Sequence, residues 1–454
     1  MRTRRRLFAV LVANAVVMAA IISSGSSPMA ERARPGRQKL TTAPSALSAP
    51  FALNYSTANS DGLTIDNVRP LFSGAALGMK EMPDQETPIL RQPDGGYSLF
   101  VTGVPVPHRP VGVTSLFTAR DLTNPKTYRS LGTVLEPSYE CKSEVQCNPL
   151  TQGDACASYL GIVSVFPTQN DLIHLAAFYI ADQKIFADER TCHKGSGFYG
   201  QLGLATSSDG GVHWQKHGPI LSGEPLPSGR ASLGPNGLNQ PTVIKASGYY
   251  YAYLDYFASG QWPAGHPFRK GPQGLQVARA HVQADGFPGE WSKLYKGTFE
   301  SGQSGMNGYG DNVIPEAGGP HIGSMAWISF NVYLKKYLLT FVAKDGWYYS
   351  TLPEADLDKQ DWSVPQKFLS VPGGSNWVKG QPTWENMVFV TPGLPDNHET
   401  GQEGLVIFSS MAAWAESVPG KPRDFAVGRY RFGPDDLPPL LPPNPRINCG
   451  TSCK

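Results

Sequence analysis

The sequence lacks a strong excess of charge of either sign. Its 39 Lys and Arg residues are nearly balanced by 37 Asp and Glu residues, which leaves a formal net charge of +2 at pH 7, and neither half of the chain is segregated by sign. Proteins that bind nucleic acid need clustered Lys and Arg residues on a strongly basic surface, because they must contact phosphates. We therefore expect no nucleic-acid partner.

Long apolar runs are missing after the N-terminus, so we expect no transmembrane segment in the mature chain. At the N-terminus, four arginines precede an apolar run from Leu7 to Ile22, and small residues follow. Such a run is short for a membrane span and typical of a secretory signal peptide. The stretch "TRRRLF" resembles a twin-arginine export signal, a bacterial feature. We predict a signal peptide over residues 1–30, cleaved after Ala30, and a secreted or periplasmic protein; an uncleaved anchor is the alternative.

Cysteine is scarce, and the six cysteines form no C-x-x-C pair and have no clustered histidines beside them. This spacing argues against a zinc site. An even number of cysteines after a signal peptide predicts disulfide bonds, although the sequence leaves the pairing open. We expect one local disulfide bond in the tail, and further disulfide bonds that cross-link one long loop region. The tail residues are Cys449 and Cys453, and the loop group is Cys141, Cys147, Cys156 and Cys192.

Helix-forming runs are few, whereas glycine, proline and aromatic residues are abundant. The chain contains 49 Gly and 40 Pro residues, and 11% of its residues are aromatic. This composition favours many short strands joined by turns. Residues 31–60 have the composition of a flexible linker, and residues 433–454 form a Pro-rich tail. We place the folded region between them, at residues 61–432.

One sequence pattern recurs along this region: a proline, a short β-rich run, a turn, and a second run rich in aromatic and aliphatic residues. It begins near Pro88, Pro241, Pro320 and Pro382. A proline at the first residue of a strand removes no ladder hydrogen bond. The interval between the first two prolines is roughly twice the later ones, and "CASYLGIVSVFPTQNDLIHLAAFYI", from Cys156, fills it without a proline. The sequence therefore predicts five repeats.

Each repeat has a second half in which a strand ends in a polar turn and an aromatic residue opens the next strand. The visible examples are Tyr128, Trp214, Trp291 and Trp362. Two hairpins per repeat make a four-stranded sheet, and radial repetition of such sheets makes a β-propeller. We predict an all-β fold, a five-bladed β-propeller of four-stranded antiparallel blades, rather than a β-sandwich or a β-helix. The predicted blades span residues 86–137, 156–222, 239–298, 318–369 and 380–432.

The stretch "SSDGGVHW" matches the Asp-box pattern S-x-D-x-G-x-x-W at Ser207, Asp209, Gly211 and Trp214. This motif marks β-propellers such as sialidases. The Asp side chain can accept hydrogen bonds from the turn's own amides, and the glycine can take a positive φ. In those families the motif lies on the outer hairpin, so the resemblance implies a structural role.

The core from about residue 70 to 432 resembles the five-bladed propeller glycosidases. These are the arabinanases and β-xylosidases of glycoside hydrolase family 43 and the propeller endo-D-arabinanases. The resemblance is carried by "QPTVIKASGYYYAY", "ETPIL" and "PEAGGPHI". Gln240 stands where the family has an acid, Glu86 lies one residue before the usual acid, and Glu316 lies two residues from the position of the general acid. The resemblance implies a glycosidase with its site at the axial ends of the inner strands.

Glycoside hydrolysis needs two carboxyl groups across the scissile bond, one as proton donor and one as nucleophile or base. We expect Glu86 to be the base or nucleophile, with Asp84 as its alternative. Glu316 is the expected acid, with Asp311 as the alternative or as a third acid that tunes the pKa of the pair.

Further residues are candidates for substrate binding. Asp255 lies in the apolar run "YYYAYLDYF", where a carboxylate is costly unless it is paired. By the resemblance, His321 could bind a substrate or an axial calcium ion, and we expect no other cofactor or metal. Trp327 could stack on a sugar ring or pack between blades. The full set is His321, Gln240, Gln381, Glu385, Asp255 and Trp327.

The sequence therefore predicts a secreted glycoside hydrolase that acts on a polysaccharide or oligosaccharide, with arabinan or another furanoside polymer implied by resemblance. The alternative is a non-catalytic glycan-binding propeller, which Gln240 favours. A polysaccharide lyase, with a Tyr, His or Lys base, is a third option. We expect a monomer.

Overall fold

The computed structural model describes residues 57–74, 79–105, 112–137, 157, 159–188, 193–223, 235–258, 274–301, 303–306, 308–314, 325–343, 345–371, 383–411 and 423–433. All of them belong to one compact unit, Gln38–Lys454. The predicted signal peptide, the Pro-rich tail and all six cysteines lie outside the described residues, as do Glu316, His321 and Gln381.

The described strands form four sheets. We divide them into five four-stranded antiparallel groups, called blades 1 to 5. Blade 1 contains β3 (Ile89–Arg91), β4 (Tyr97–Pro105), β5 (Val113–Ala119) and β6 (Arg129–Leu135), and the short β2 (Met79–Glu81) also pairs with β4. Blade 2 contains β7 (Tyr159–Pro167), β8 (Leu175–Asp188), β9 (His193–Ser207) and β10 (Gln215–Ser222). Blade 3 contains β11 (Pro235–Ala246), β12 (Tyr249–Ala258), β13 (Gly274–Val282) and β14 (Pro288–Lys293). Blades 2 and 3 are joined into one sheet by the parallel pairing of β11 with β9.

The remaining strands complete the last two blades. Blade 4 contains β15 (Trp327–Asn331), β16 (Lys336–Ala343), β17 (Gly346–Pro353) and β18 (Gln366–Leu369), and β20 (Glu399–Thr400) joins its edge in parallel to β15. Blade 5 contains β19 (Thr383–Val390), β21 (Glu403–Met411), β22 (Asp424–Arg431) and β1 (Thr64–Ser73). Three short 3₁₀ helices, Pro125–Thr127, Phe299–Ser301 and Glu354–Asp356, are the helical elements of the described residues. The prediction of an all-β fold of four-stranded antiparallel blades is confirmed.

Blade 5 takes its outer strand from the N-terminal end of the folded region. β1 pairs antiparallel with β22, from Thr64 opposite Arg431 to Ser73 opposite Asp424. The repeats alone do not predict this strand, because it precedes the first of them. The chain before it is also held: the amide of Thr57, inside the predicted linker, donates to the Phe368 carbonyl of blade 4 at 3.1 Å.

Aromatic contacts connect neighbouring blades. In blades 1 to 4, the aromatic residue that lies in or before the fourth strand packs edge-on against a ring of the adjacent blade. The centroid distances are 5.2 Å for Tyr128 of blade 1 with Phe72 of blade 5, 5.8 Å for Trp214 of blade 2 with Phe100 of blade 1, 6.1 Å for Trp291 of blade 3 with Phe178 of blade 2, and 5.7 Å for Trp362 of blade 4 with Tyr253 of blade 3. Such aromatic pairs stabilise the fold by more than their buried area alone would, so these four residues serve mainly in packing between blades.

The Asp-box turn lies between β9 and β10, the outer hairpin of blade 2. The Oγ of Ser207 accepts from the Gly211 amide at 2.9 Å and donates to Asp209 Oδ1 at 2.8 Å. Gly211 has φ +87°, and a Cβ there would come within 2.6 Å of Phe100. The indole of Trp214 donates to the Gly211 carbonyl at 3.0 Å. These contacts support a structural role for the turn, since they hold it against blade 1.

Each of the last three blades has a left-handed backbone residue within its inner strand or just before it. Gln240, Met325 and Asn386 have φ of 42°, 63° and 54°, and β11 and β19 are bulged at these points. Pro88 directly precedes β3, as predicted, but Pro241 lies inside β11 at the bulge rather than at the strand's first residue. A bulge leaves a residue outside the ladder, so a proline is tolerated there as well.

No helix within the described part of the chain has the length and apolar character that crossing a membrane requires.

Candidate active site

The segment before β3 carries Glu86 into the interior of the fold. The amide of Asp84 donates to the Thr102 carbonyl at 2.9 Å, and the Phe100 amide donates to the Pro88 carbonyl at 3.0 Å, so the segment runs along β4. Glu86 is fully buried, and neither carboxyl oxygen has a hydrogen-bond partner among the described residues. Burial, with a smaller contribution from the charge of Asp84, raises the pKa of Glu86 from 4.5 to about 8.

Asp255 comes to the same place from a different blade. It lies in β12 of blade 3, is 3% exposed, and has no side-chain hydrogen-bond partner for either carboxyl oxygen within the described residues, although the Met325 backbone lies close enough to lower its pKa. Burial first, and then the negative charge of Glu86, raises the pKa of Asp255 well above its ordinary value. Because Glu86 acts on Asp255 electrostatically, the two carboxyl groups lie near each other although blades 1 and 3 carry them. We call them the buried pair.

Both members of the buried pair have a raised pKa, for partly different reasons. Burial is the main cause for each, Asp84 adds to the effect at Glu86, and the charge of Glu86 favours the protonated form of Asp255. Two carboxyl groups whose surroundings separate their ionisations are suited to act as base and acid. Glu86 therefore fits the predicted role of base or nucleophile. Asp255, which the sequence analysis placed among the substrate-binding residues, fits the role of proton donor.

A single guanidinium joins two further carboxylates beside the pair. Arg423 Nη1 lies 2.5 Å from Asp84 Oδ1 and 2.9 Å from Glu385 Oε2. Asp84 belongs to the segment before β3 and Glu385 to β19, so Arg423 connects blades 1 and 5. The hydroxyl of Tyr159, at the start of β7, donates to the Asp84 carbonyl at 3.1 Å. Blades 1, 2 and 5 thus converge on this segment.

Other predicted residues have structural contacts in the fold. The Gln240 side chain accepts a hydrogen bond from the Met325 amide at 3.0 Å, so it ties blade 3 to blade 4. The Asp311 carboxylate accepts from the Gly297 amide at 2.8 Å, in the turn after β14, and the described contacts do not bring it to the buried pair. Trp327 is fully buried, and one ring face stacks on His398, so that face is closed to a sugar.

Sequence reasoning missed His398, which packs between residues of blades 2 and 4. Its ring stacks on Phe166 of blade 2 at 4.4 Å and on Trp327 of blade 4 at 5.2 Å. The neighbouring Asn397 side chain accepts from the Ile89 amide and donates to the Thr87 carbonyl, both at 3.0 Å. The connection from β19 to β21 therefore reaches blades 1, 2 and 4. Its length, well beyond a tight hairpin turn, was the available sign in the sequence.

Some buried polar atoms in and near the inner strands lack partners. Besides the buried pair, the side-chain oxygens of Thr87, Thr242 and Asn386 have no hydrogen-bond partner among the described residues. Buried polar groups are normally satisfied, and exceptions indicate ordered water or a ligand.

The possible axial calcium ion stays a prediction, because His321, the residue expected to bind it, lies outside the described residues. Within the described ranges, no group of three or more His, Cys, Asp or Glu side chains is placed to hold a metal ion.

Comparison with known proteins gives similar folds only. No protein-family model matches the chain, and no curated protein matches it either. Among solved structures, the chain is similar to the catalytic domain of a glycoside hydrolase family 62 α-L-arabinofuranosidase from Coprinopsis cinerea, at 10% identity and a TM-score of 0.45, with 83% of this chain and 98% of that one covered.

Two more solved structures show the same degree of likeness. An α-L-arabinofuranosidase from Podospora anserina in complex with cellotriose is 12% identical, with a TM-score of 0.42 and coverage of 80% and 95%. A glycoside hydrolase family 43 enzyme from Xanthomonas citri complexed with xylotriose is 15% identical, with a TM-score of 0.41 and coverage of 80% and 89%.

Proposed function

We propose that this protein is a glycoside hydrolase that cleaves a polysaccharide with Glu86 and Asp255 as its acid–base pair. One observation carries the proposal: two carboxyl groups from different blades are buried within electrostatic reach of each other, and neither has a side-chain hydrogen-bond partner among the described residues. Strongly perturbed carboxyl groups that converge in this way are candidates for catalysis.

The energetic cost of this arrangement supports a functional reason for it. A shift of one pKa unit corresponds to about 1.4 kcal/mol. The rise of the Glu86 pKa from 4.5 to about 8 therefore lowers the free energy of unfolding by roughly 5 kcal/mol at a pH above 8. That is a large part of the stability of an ordinary domain. A glutamine of the same shape would avoid the cost, which means that the carboxyl group itself is what the site requires.

The Asp255 carboxyl donates its proton to the glycosidic oxygen while the bond from that oxygen to the anomeric carbon breaks. In one route the Glu86 carboxylate attacks the anomeric carbon and forms a glycosyl ester; the Asp255 carboxylate then takes a proton from the water that hydrolyses this ester, and Glu86 leaves as a carboxylate. In the other route Glu86 takes a proton from the water that attacks the anomeric carbon directly, and exchange with solvent removes this proton from Glu86 and returns one to Asp255. One water is consumed in either route.

We propose an arabinan or another furanoside polymer as the substrate, which is the class that the sequence resemblance implies. The parent protein should release reducing sugar from at least one member of a panel of arabinans, xylans and fructans. Because Glu86 must be ionised to act, kcat/KM in this assay should rise with pH up to about 8 rather than in the range of an ordinary carboxylate. Activity that is flat between pH 5 and 9 would contradict the assignment of Glu86.

A non-catalytic glycan-binding protein remains the second candidate, because Gln240 stands where the resembling enzymes have an acid. The same panel separates the two. Retention of the protein on an immobilised polysaccharide, with no sugar released from any member over a day at pH 8.5, would favour binding over hydrolysis.

We also propose that the enzyme acts outside the cytoplasm, since the first 30 residues have the charge and apolar pattern of a signal peptide. In a bacterial host, the exported protein should have Glu31 as its first residue by intact-mass measurement. An exported chain that still contains residues 1–30 would support the N-terminal anchor instead.

A further inference from the structure

Arg423 occupies an unusual position beside the buried pair. It directly precedes β22, and its backbone carbonyl accepts from the Gly74 amide at 3.1 Å. Its side chain is 18% exposed, and one nitrogen, Nη1, lies within ion-pair distance of both Asp84 and Glu385. A guanidinium shared by two carboxylates in a desolvated place strengthens both contacts.

Ionisable groups from several elements come to the segment that carries Glu86. Asp84 lies two residues away on this segment, Asp255 comes from β12, and Tyr159 from β7 is bonded to the Asp84 backbone. When ionised, Asp84 and Asp255 oppose loss of the Glu86 proton. Arg423 ion-pairs with Asp84, and the same nitrogen ion-pairs with Glu385 from β19.

We propose that Arg423 is a positioning residue of this site: by binding the Asp84 and Glu385 carboxylates through one nitrogen, it neutralises their charge beside the buried pair. The inference rests on the proposed function, because the ionisation of Glu86 affects activity only if Glu86 acts as a base. It adds a member to the site that touches neither the substrate nor the reacting atoms.

The physical effect follows from the sign of the charges. The charge of Asp84 already contributes to the raised pKa of Glu86. Arg423→Gln leaves Asp84 and Glu385 without this counter-ion, so the potential at Glu86 becomes more negative and its proton is held more tightly. Glu385→Gln has the opposite effect, since it removes one negative charge and leaves the guanidinium to Asp84.

The test follows the Glu86 proton directly and needs no sugar. The infrared carbonyl band of protonated Glu86 is defined as the band that Glu86→Gln removes, and its loss is followed between pH 5 and 10. We expect a midpoint near pH 8 in the parent. In Arg423→Gln we expect about tenfold tighter proton binding, a midpoint about one pH unit higher. Arg423→Lys should restore most of the parent value, because it keeps the charge.

Arg279 provides a matched control. It also contacts two carboxylates, Glu300 and Asp358, and its side chain is 13% exposed, but it lies in β13 and stacks on Tyr249 and Phe299. Arg279→Gln should leave the Glu86 midpoint unchanged. A midpoint that is the same in Arg423→Gln and the parent would overturn the inference.

If Arg423→Gln does not fold, the midpoint of Glu385→Gln tests whether the Arg423 ion pairs affect proton binding at Glu86. A downward shift of its midpoint supports the inference, and an unchanged or higher midpoint overturns it. The proposed function is tested separately from the role of Arg423. A parent protein that lacks the Glu86 band contradicts the proposed function. A parent protein that shows the band but hydrolyses no polysaccharide also contradicts it, and in that case the midpoints of the variants still decide the role of Arg423.

Discussion

Glu86→Gln and Asp255→Asn should each lower kcat/KM for the polysaccharide by at least 10²- to 10⁴-fold, the range that acid–base catalysis supplies. Each substitution removes one ionisable group of the buried pair and keeps the side-chain shape. Initial rates of reducing-sugar release at pH 8.5 measure the loss. Glu290→Gln, on the exposed part of β14, is the control and should stay within twofold of the parent.

The two variants should differ on an activated substrate. An aryl glycoside of the released sugar carries a leaving group that departs without a proton, so Asp255→Asn should recover a large part of its rate. Glu86→Gln should remain as slow as on the polysaccharide, because attack on the anomeric carbon is still missing. Equal losses for both variants on both substrates would contradict the division of roles, and full activity of both would refute the pair.

Glu86→Gln should also make the protein more stable, and the gain should grow with pH. In the unfolded chain Glu86 releases its proton near pH 4.5, whereas in the folded protein it keeps the proton up to about pH 8. The folded parent therefore loses stability as pH rises through this interval, by roughly 5 kcal/mol in total. Glutamine carries no proton to lose, so the variant avoids the loss.

The measurement is the melting temperature of parent and variant from pH 5 to pH 9. We expect nearly equal values at pH 5 and an advantage of several degrees for Glu86→Gln above pH 8. Glu290→Gln should follow the parent throughout. A difference that does not change with pH would show that the Glu86 carboxyl is not buried in its neutral form.

The fold was predictable because its features are local and repeated. The spacing of the prolines, the alternating apolar runs and the aromatic residue at each fourth strand are all visible in the sequence, and Trp214, Trp291 and Trp362 have the interblade contacts that the pattern suggests. The outer strand of blade 5 was not predictable in this way, because β1 pairs with residues more than 350 positions later.

The site was predictable only in part, for the same reason. Glu86 was found because it precedes the first inner strand. Asp255 was noticed as a costly carboxylate in an apolar run, but its nearness to Glu86 depends on how blades 1 and 3 face each other. Arg423 and His398 carried no motif at all. Their roles arise from contacts across the centre of the fold, which no local pattern encodes.

The pairing of β1 with β22 has a consequence for how the chain folds. Blades 1 to 4 are built from consecutive strands, so their contacts are short in sequence and can form early. Blade 5 needs the two ends of the folded region to meet, from Thr64 to Arg431, and the entropy of closing so long a loop opposes that step. High contact order of this kind slows folding. Because Arg423 directly precedes β22, the last sheet to assemble is also the one that delivers the guanidinium to Asp84, so the carboxyl cluster is completed only when the ring closes.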